Sequence, residues 1–373
     1  MKISLIDDVI YRYAANDPTA AGGAERYMWL QTRALAAAGW SATVGVWTAL
    51  PPGERTRIDG VDFVGVERGD TIRAVYRFLR AERPDWCHWF GSSHILGPAI
   101  AAGKLVGTRA VFSAQFDLDV RPRQALHARR RLWPLYAFGL WASDRIFLQH
   151  RGQYAGLAGT LRSKAHIVPG IVALPPGWQP HDGRTPYVAW VGVLRQPKRP
   201  DLLVEIAEQS PGVNFVVCGG PSGHRSPPEY SDSIIQRFQK VPNIRYLGHV
   251  APARAIEVIG NAAVLLSTSD AEGFPSVFVE AWAHGTPVVS LKIDPDQMIA
   301  ENGLGAVSGS VSGAVKDIAR LVEAPEQRQV MAARCRDYVA THHSSAAAVR
   351  IVEAALVGPS APSLKAAQGF GRP

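Results

Sequence analysis

Residues 263–292 read AVLLSTSDAEGFPSVFVEAWAHGTPVVSLK. An apolar run, AVLLSTS (263–269), gives way to a short loop, then to a second apolar run with proline at its head, and ends in PVVSLK (287–292). Proline suits the first turn of a helix and resists its interior, so Pro275 marks a helix start. The stretch therefore reads as strand, loop, helix and strand, the repeating unit of a parallel sheet with helical crossovers.

Working outward, the same alternation fills the chain. Upstream in the second half, PYVAWVGV (186–193), VNFVVCGG (213–220) and NIRYLGHV (243–250) read as strands, with a helix over 199–209. The first half repeats the pattern with KISLI (2–6), SATVGVW (41–47), DWCHW (85–89), RAVFSA (109–114) and DRIFLQ (144–149). Helices are predicted over 24–39, 71–82 and 93–102, with Gly39 placed as a C-terminal cap. Between the halves, HIVPGIVALPPGWQPHDGRTP (166–186) is rich in Pro and Gly and reads as a linker. The expectation is two Rossmann-like, doubly wound α/β domains facing across a cleft. Their boundaries fall at 1–168 and 169–340, followed by a final helix and a Gly/Ser/Pro tail over 341–373. Open parallel sheets bind ligands at the carboxyl ends of their strands, which puts the site between the halves.

Composition narrows the class. Lys plus Arg number 40 against 32 Asp plus Glu, and this excess of eight favours anionic partners. Cys87, Cys218 and Cys335 stand far apart with no CxxC pair, which argues against a disulfide framework or zinc site. The N-terminus meets acidic residues after one short apolar run, and no apolar stretch is long enough to cross a bilayer; a cytoplasmic protein is expected. No GxxxxGK[ST] occurs and no GxGxxG follows the first strand, so P-loop and nicotinamide chemistry are disfavoured. A nucleic-acid role would rest on net charge alone, and none is expected.

The quoted stretch carries two glutamates. Glu272 falls in the loop and Glu280 about one turn into the helix, so the amides of Ser276, Val277 and Phe278 are expected to point free into the cleft as an anion site. Carboxylates beside a phosphate site suit the diols of a sugar, each accepting two hydroxyl hydrogen bonds. On the residues alone, the pair reads more readily as a loop acid and a helix-start acid favoured by the macrodipole.

The longer pattern adds to this. Glu272-Gly273-Phe274-Pro275, Glu280, and the run to Val289 resemble the signature of the family 4 retaining glycosyltransferases of GT-B fold. The resemblance extends to GGAE (22–25), VGVLRQPKRPD (191–201), VVCGG (216–220) and IVPGI (167–171). It implies a nucleotide-diphosphate sugar, UDP- or GDP-linked, on the second domain and an acceptor on the first. It also implies a last helix crossing back to the first domain, and no metal or other cofactor. Carried over residue by residue, Glu280 grips the ribose, and Glu272 with Gly273 and Phe274 orients the transferred hexose. Arg195 and Lys198, after Gly192, neutralise the diphosphate, and Gly22 and Gly23 approach the donor from the opposite domain.

The pattern departs at two places. Val193 stands where the family's arginine often directly follows the glycine, leaving Arg195 to serve. Gln115 stands where the family shows a histidine; glutamine hydrogen-bonds a sugar but does not exchange protons near neutral pH. His88, at another strand end, is a candidate to compensate, although a lone histidine there reads more readily as hydrogen-bonded in the interior. The short acidic strings Asp117-Leu118-Asp119 and Asp294-Pro295-Asp296 lack a metal-site context. RPRQALHARRRLWPLYAFGLWA (121–142) interleaves Arg121, Arg123, Arg129, Arg130 and Arg131 with Trp133, Tyr136, Phe138 and Trp141. It reads either as an anionic-membrane contact or as a core helix with a basic end. The function expected is retaining transfer of a hexose to a cell-envelope or exopolysaccharide, lipid-linked acceptor. A non-catalytic sugar-nucleotide-binding subunit and a UDP-sugar 2-epimerase are the alternatives.

Overall fold

The computed structural model describes residues 1–20, 22–125, 131–178, 186–221 and 227–358. Its first half is an eight-stranded sheet: β1 (Lys2–Ile6), β2 (Ser41–Val46), β3 (Arg55–Ile58), β4 (Val61–Gly65), β5 (Trp86–Phe90), β6 (Arg109–Ser113), β7 (Arg145–Leu148) and β8 (Ala165–Ile167). The helices among them are α1 (Asp8–Ala14), α2 (Gly23–Ala37), α3 (Thr71–Glu82), α4 (Leu96–Lys104), α5 (Trp133–Ala142) and α6 (Arg151–Gly156). The second half is a six-stranded sheet: β9 (Tyr187–Val191), β10 (Asn214–Cys218), β11 (Ile244–Tyr246), β12 (Val264–Ser267), β13 (Val288–Ser290) and β14 (Gly305–Val307). Around it lie α7 (Pro200–Glu208), α8 (Pro228–Lys240), α9 (Pro252–Gly260), α10 (Ser276–Ala283), α11 (Met298–Asn302), α12 (Val311–Glu323), α13 (Pro325–His342) and α14 (Ser345–Val357).

Strand order is β3-β4-β2-β1-β5-β6-β7-β8 in one sheet and β11-β10-β9-β12-β13-β14 in the other. Every pairing is parallel except β3 with β4. Each sheet winds outward in both directions from a switch point, β1/β5 in the first and β9/β12 in the second. Loops leaving β1, β9 and β12 therefore open onto the crevice where doubly wound sheets take ligands. The central strands are apolar on both faces, as sheets covered by helices on both sides require.

One part of the sequence reading changes. Residues 166–172 are not plain linker. β8 adds to the first sheet, and Val168, Ile171 and Val172 are buried; Pro169 and Gly170 break the apolar run that would have revealed them. The last helix, α14, lies on α2, and its Ala348, Val352, Ala355 and Leu356 share a core with Met28, Trp29 and Leu35. The predicted tail beyond Gly358 lies outside the described residues. All three cysteines are buried and free. No helix among the described residues is long and apolar enough to cross a membrane.

Candidate active site

The loops after β9 and β12 are fastened to each other. Thr268 donates its hydroxyl to the Lys198 carbonyl at 2.7 Å and accepts from the Trp190 indole at 2.9 Å. The Asp270 amide donates to the Pro197 carbonyl at 2.9 Å. This brace sets Lys198 beside Glu272: Nζ and Oε1 lie 2.5 Å apart, with side chains 17% and 11% exposed. Arg195 opens the short turn Gln196–Lys198, and its Nε is buried with no partner among the described residues. Arg199 faces away from this pair, bound to Asp201 and Asp270, as a helix-start charge would be. Gly192 sits against the Trp190 ring and the Lys198 stem, and its amide donates to the Cys218 carbonyl at 3.0 Å.

Glu280 lies in α10, one turn beyond Ser276, and it too is held by a cation. Arg26 of α2, from the opposite domain, places Nη1 2.5 Å from Glu280 Oε1, with side chains 21% and 12% exposed. Burial raises the Glu280 pKa, and the Arg26 charge opposes that rise. Gly22 caps α2 at φ 128, a conformation suited to glycine, and its carbonyl accepts from the Tyr13 hydroxyl at 3.0 Å. A Cβ placed on Gly23 would lie 3.6 Å from Ser276 Oγ, so the first turns of α2 and α10 face each other across the gap.

Gly273 is where the domains approach most tightly around this loop. A Cβ there would lie 2.0 Å from the Gln115 carbonyl oxygen. Phe274 covers Gly170, where a Cβ would meet its ring at 2.2 Å, and its ring lies 5.8 Å from that of His343. Gln115 is buried at the end of β6; it accepts from the Gln149 amide at 3.4 Å, and its own Nε2 has no partner among the described residues.

Two expectations are corrected. The amides of α10 are not all free: Ser276 donates to the Phe274 carbonyl at 2.9 Å and Phe278 to the Pro275 carbonyl at 2.8 Å. The chain doubles back tightly at Phe274-Pro275, and that turn satisfies them; the Phe278 side chain itself is core. His88 does not reach the cleft either. It is buried within β5, bonded to Ser113 Oγ at 2.6 Å, and burial pulls its pKa down to about 3. A histidine so placed stays neutral and cannot contact an acceptor.

Three residues the sequence reading missed stand nearby. Arg26 directly follows the GGAE string, but nothing in a linear pattern reveals a partner 254 positions away. His150, at the end of β7, lies 2.8 Å from Asp117 Oδ1, and Gln153 also reaches that carboxylate. The other acid of that string, Asp119, accepts from the Gln115 and Phe116 amides. In the second string, Asp294 accepts from the amides of Ile299 and Ala300 and Asp296 from Arg151. Among the described residues, no three His, Cys, Asp or Glu side chains cluster as metal ligands would.

The geometry defines a two-domain site of paired acids and cations, and comparison with known proteins agrees. The profile described as "Glycosyl transferases group 1" matches residues 178–338, and that described as "Glycosyl transferase 4-like domain" matches residues 22–170. In chain order the two take in most of the protein, which belongs to the family 4 glycosyltransferases of GT-B fold. The D-inositol 3-phosphate glycosyltransferase of Segniliparus rotundus is 33% identical over 159 residues, 39% of this chain and 34% of that protein. The enzyme of the same name from Mycolicibacterium smegmatis is 33% identical over 134 residues, 35% of this chain and 29% of that one. These matches thus span about a third of each relative's length. Among solved structures, the sucrose-phosphate synthase of Thermosynechococcus elongatus superposes with TM-score 0.73 at 17% identity, over 95% of this chain and 98% of that one. Anabaena HepE, in complex with UDP and glucose, gives 0.71 at 14% identity, over 96% and 99%.

Proposed function

We propose that this protein transfers a hexose from a UDP- or GDP-linked donor to an acceptor hydroxyl, with retention of anomeric configuration and without a metal. The observation that carries the reading is the pair of carboxylates, Glu272 and Glu280, set along one loop and helix at the interdomain gap, each balanced by a cation. Glu280 takes the ribose diol, and Glu272 with the Gly273-Phe274 backbone takes the sugar. Lys198 and Arg195 stabilise the charge that develops on the departing diphosphate. The bond from the anomeric carbon to the phosphate oxygen breaks, the bond to the acceptor oxygen forms on the same face, and the acceptor proton passes to the departing phosphate. This route needs no base at Gln115, which is left to hydrogen-bond sugar or acceptor. The neighbour crystallised with UDP and glucose supports a nucleotide-sugar donor here.

The acceptor side favours a cell-envelope or exopolysaccharide glycan carried on lipid. α5 presents Leu135, Phe138 and Trp141 to solvent, Trp141 at 67%, with Arg123 stacked over Trp133 at 4.9 Å. Leu105, 80% exposed, ends α4, where the adjacent Lys104 reaches Asp144 just beyond α5. A groove lined by Tyr76, Arg80, Arg83 and Arg109 adjoins Leu105. Apolar side chains rimmed by arginine suit an anionic membrane surface. Arg129 and Arg130 lie outside the described residues.

The test is incubation with UDP- and GDP-sugars, measuring nucleoside diphosphate release with and without lipid extract and the anomer of the product. Acceptor-dependent release in the presence of chelator supports the reading. Epimerised donor with no release favours the epimerase, and binding without turnover favours a non-catalytic subunit.

A further inference from the structure

We infer that Arg26 is a ligand for the donor's diphosphate, which the free protein keeps parked on Glu280. The inference deepens the reading above and rests on it. Arg26 lies 2.5 Å from Glu280, and the carboxylate side chain is only 12% exposed. A ribose diol cannot reach so covered an acid unless the guanidinium moves away. A buried carboxylate with no cation or hydrogen-bond donor is costly, so Glu280 needs a partner until a diol reaches it, and Arg26 supplies it. Lys198 does the same for Glu272, but from within the same domain. Arg26 alone of the two cations crosses the gap, so its release also frees the domains to adjust around the donor.

The released guanidinium has a destination nearby. Gly23, at the start of α2, faces Ser276, at the start of α10. Arg26 stands three positions beyond the first, and Glu280 four beyond the second. Travel of about one helical turn, roughly 5.4 Å, carries the guanidinium from Glu280 toward the mouth of α10. There the donor's diphosphate would lie between α10 and the loop bearing Lys198 and Arg195. The planar fork of arginine matches phosphate oxygens in pairs. The pivot is anchored, since Tyr13 holds the Gly22 carbonyl and α2 is otherwise packed in the core. Donor entry then exchanges one internal ion pair for two contacts, diol to Glu280 and phosphate to Arg26.

The experiment is titration calorimetry of uridine and UDP, and of guanosine and GDP, into the wild type, Arg26→Ala and Arg26→Lys. Removing the parked cation should let the nucleoside bind as tightly as to wild type or several-fold tighter. The gain from adding the diphosphate should shrink by about tenfold or more, the worth of one charged hydrogen bond. Arg26→Lys should recover part of that gain. An unchanged diphosphate gain in Arg26→Ala, with wild-type binding intact, overturns this inference alone, as does an equal loss for nucleoside and nucleotide. A wild type that binds none of the four overturns the donor reading, and this inference with it.

Discussion

Glu280 and Glu272 each sit within 2.5 Å of a cation, yet the residue between them in consequence is Gly273. Its hydrogen faces the Gln115 carbonyl, and a methyl group there would lie 2.0 Å from that oxygen. Since the obstacle is backbone from the other domain, Gly273→Ala must push this loop off the first domain. We expect turnover to drop about 100-fold, as misplacement of an ångström costs, while circular dichroism and the unfolding midpoint stay near wild type; unchanged turnover would count against the close approach. Asp7 offers a second residue-scale test. Burial, opposed by amide bonds from Ile10 and Val9, raises its pKa from 3.8 to about 6. The folded state therefore holds the proton more tightly than the unfolded chain. That contribution is complete below pH 3.8 and lost as pH rises through about 6. Asparagine keeps the helix cap without ionising. Asp7→Asn should match the wild type below pH 3.8 and exceed it above pH 6 by on the order of 2 kcal/mol, read by denaturant unfolding at both ends. At this scale the motif residues were legible because their spacing is local. Arg26 was not, because its partner lies across the gap, and His88 stood between the cleft and the interior until what covers both faces of β5 decided for the interior.

At the scale of elements, the apolar runs of the central strands announced both sheets, because a strand covered on both faces has no polar positions to confuse its reading. What escaped was peripheral. β3 alternates arginines along a sheet edge, where charge is tolerated on the open side, so RTRI carries no apolar run to mark it as a strand. α1, DVIYRYA, is seven residues long, too short for helical periodicity to show. The free amides expected of Ser276 and Phe278 failed for a related reason: the turn at Phe274-Pro275 satisfied them. α14 carries the element-scale prediction. It comes last in the chain, yet its Leu356 is buried with α2. Leu356→Ala should cost about 2–3 kcal/mol, and the loss should appear as earlier unfolding of the first domain, followed by the fluorescence of Trp29, Trp40 and Trp86 in a protein whose other tryptophans are replaced. A shift confined to the second domain would contradict the return of α14.

For the whole molecule, the two crossings between domains meet at one place. His343, where the chain leaves α13 for α14, binds the Gly170 carbonyl through Nδ1 at 2.7 Å, and its own carbonyl accepts from Val172. Phe274, in the loop after β12, lies over the same Gly170. The loop proposed to hold the sugar is thus seated where the chain crosses between the domains, so the donor contacts proposed for Glu272 and Gly273 are physically joined to the relation between the domains. Burial lowers the His343 pKa to about 4, so this junction stays uncharged at neutral pH. The central claim is that the paired acids at this junction hold a nucleotide sugar, and calorimetry with UDP and GDP tests it most directly. The wild type should bind one of them, and Glu280→Gln should weaken it about 100-fold, the worth of two hydroxyl bonds to a carboxylate. Equal affinity in Glu280→Gln and wild type, or no binding to either nucleotide, would contradict the account.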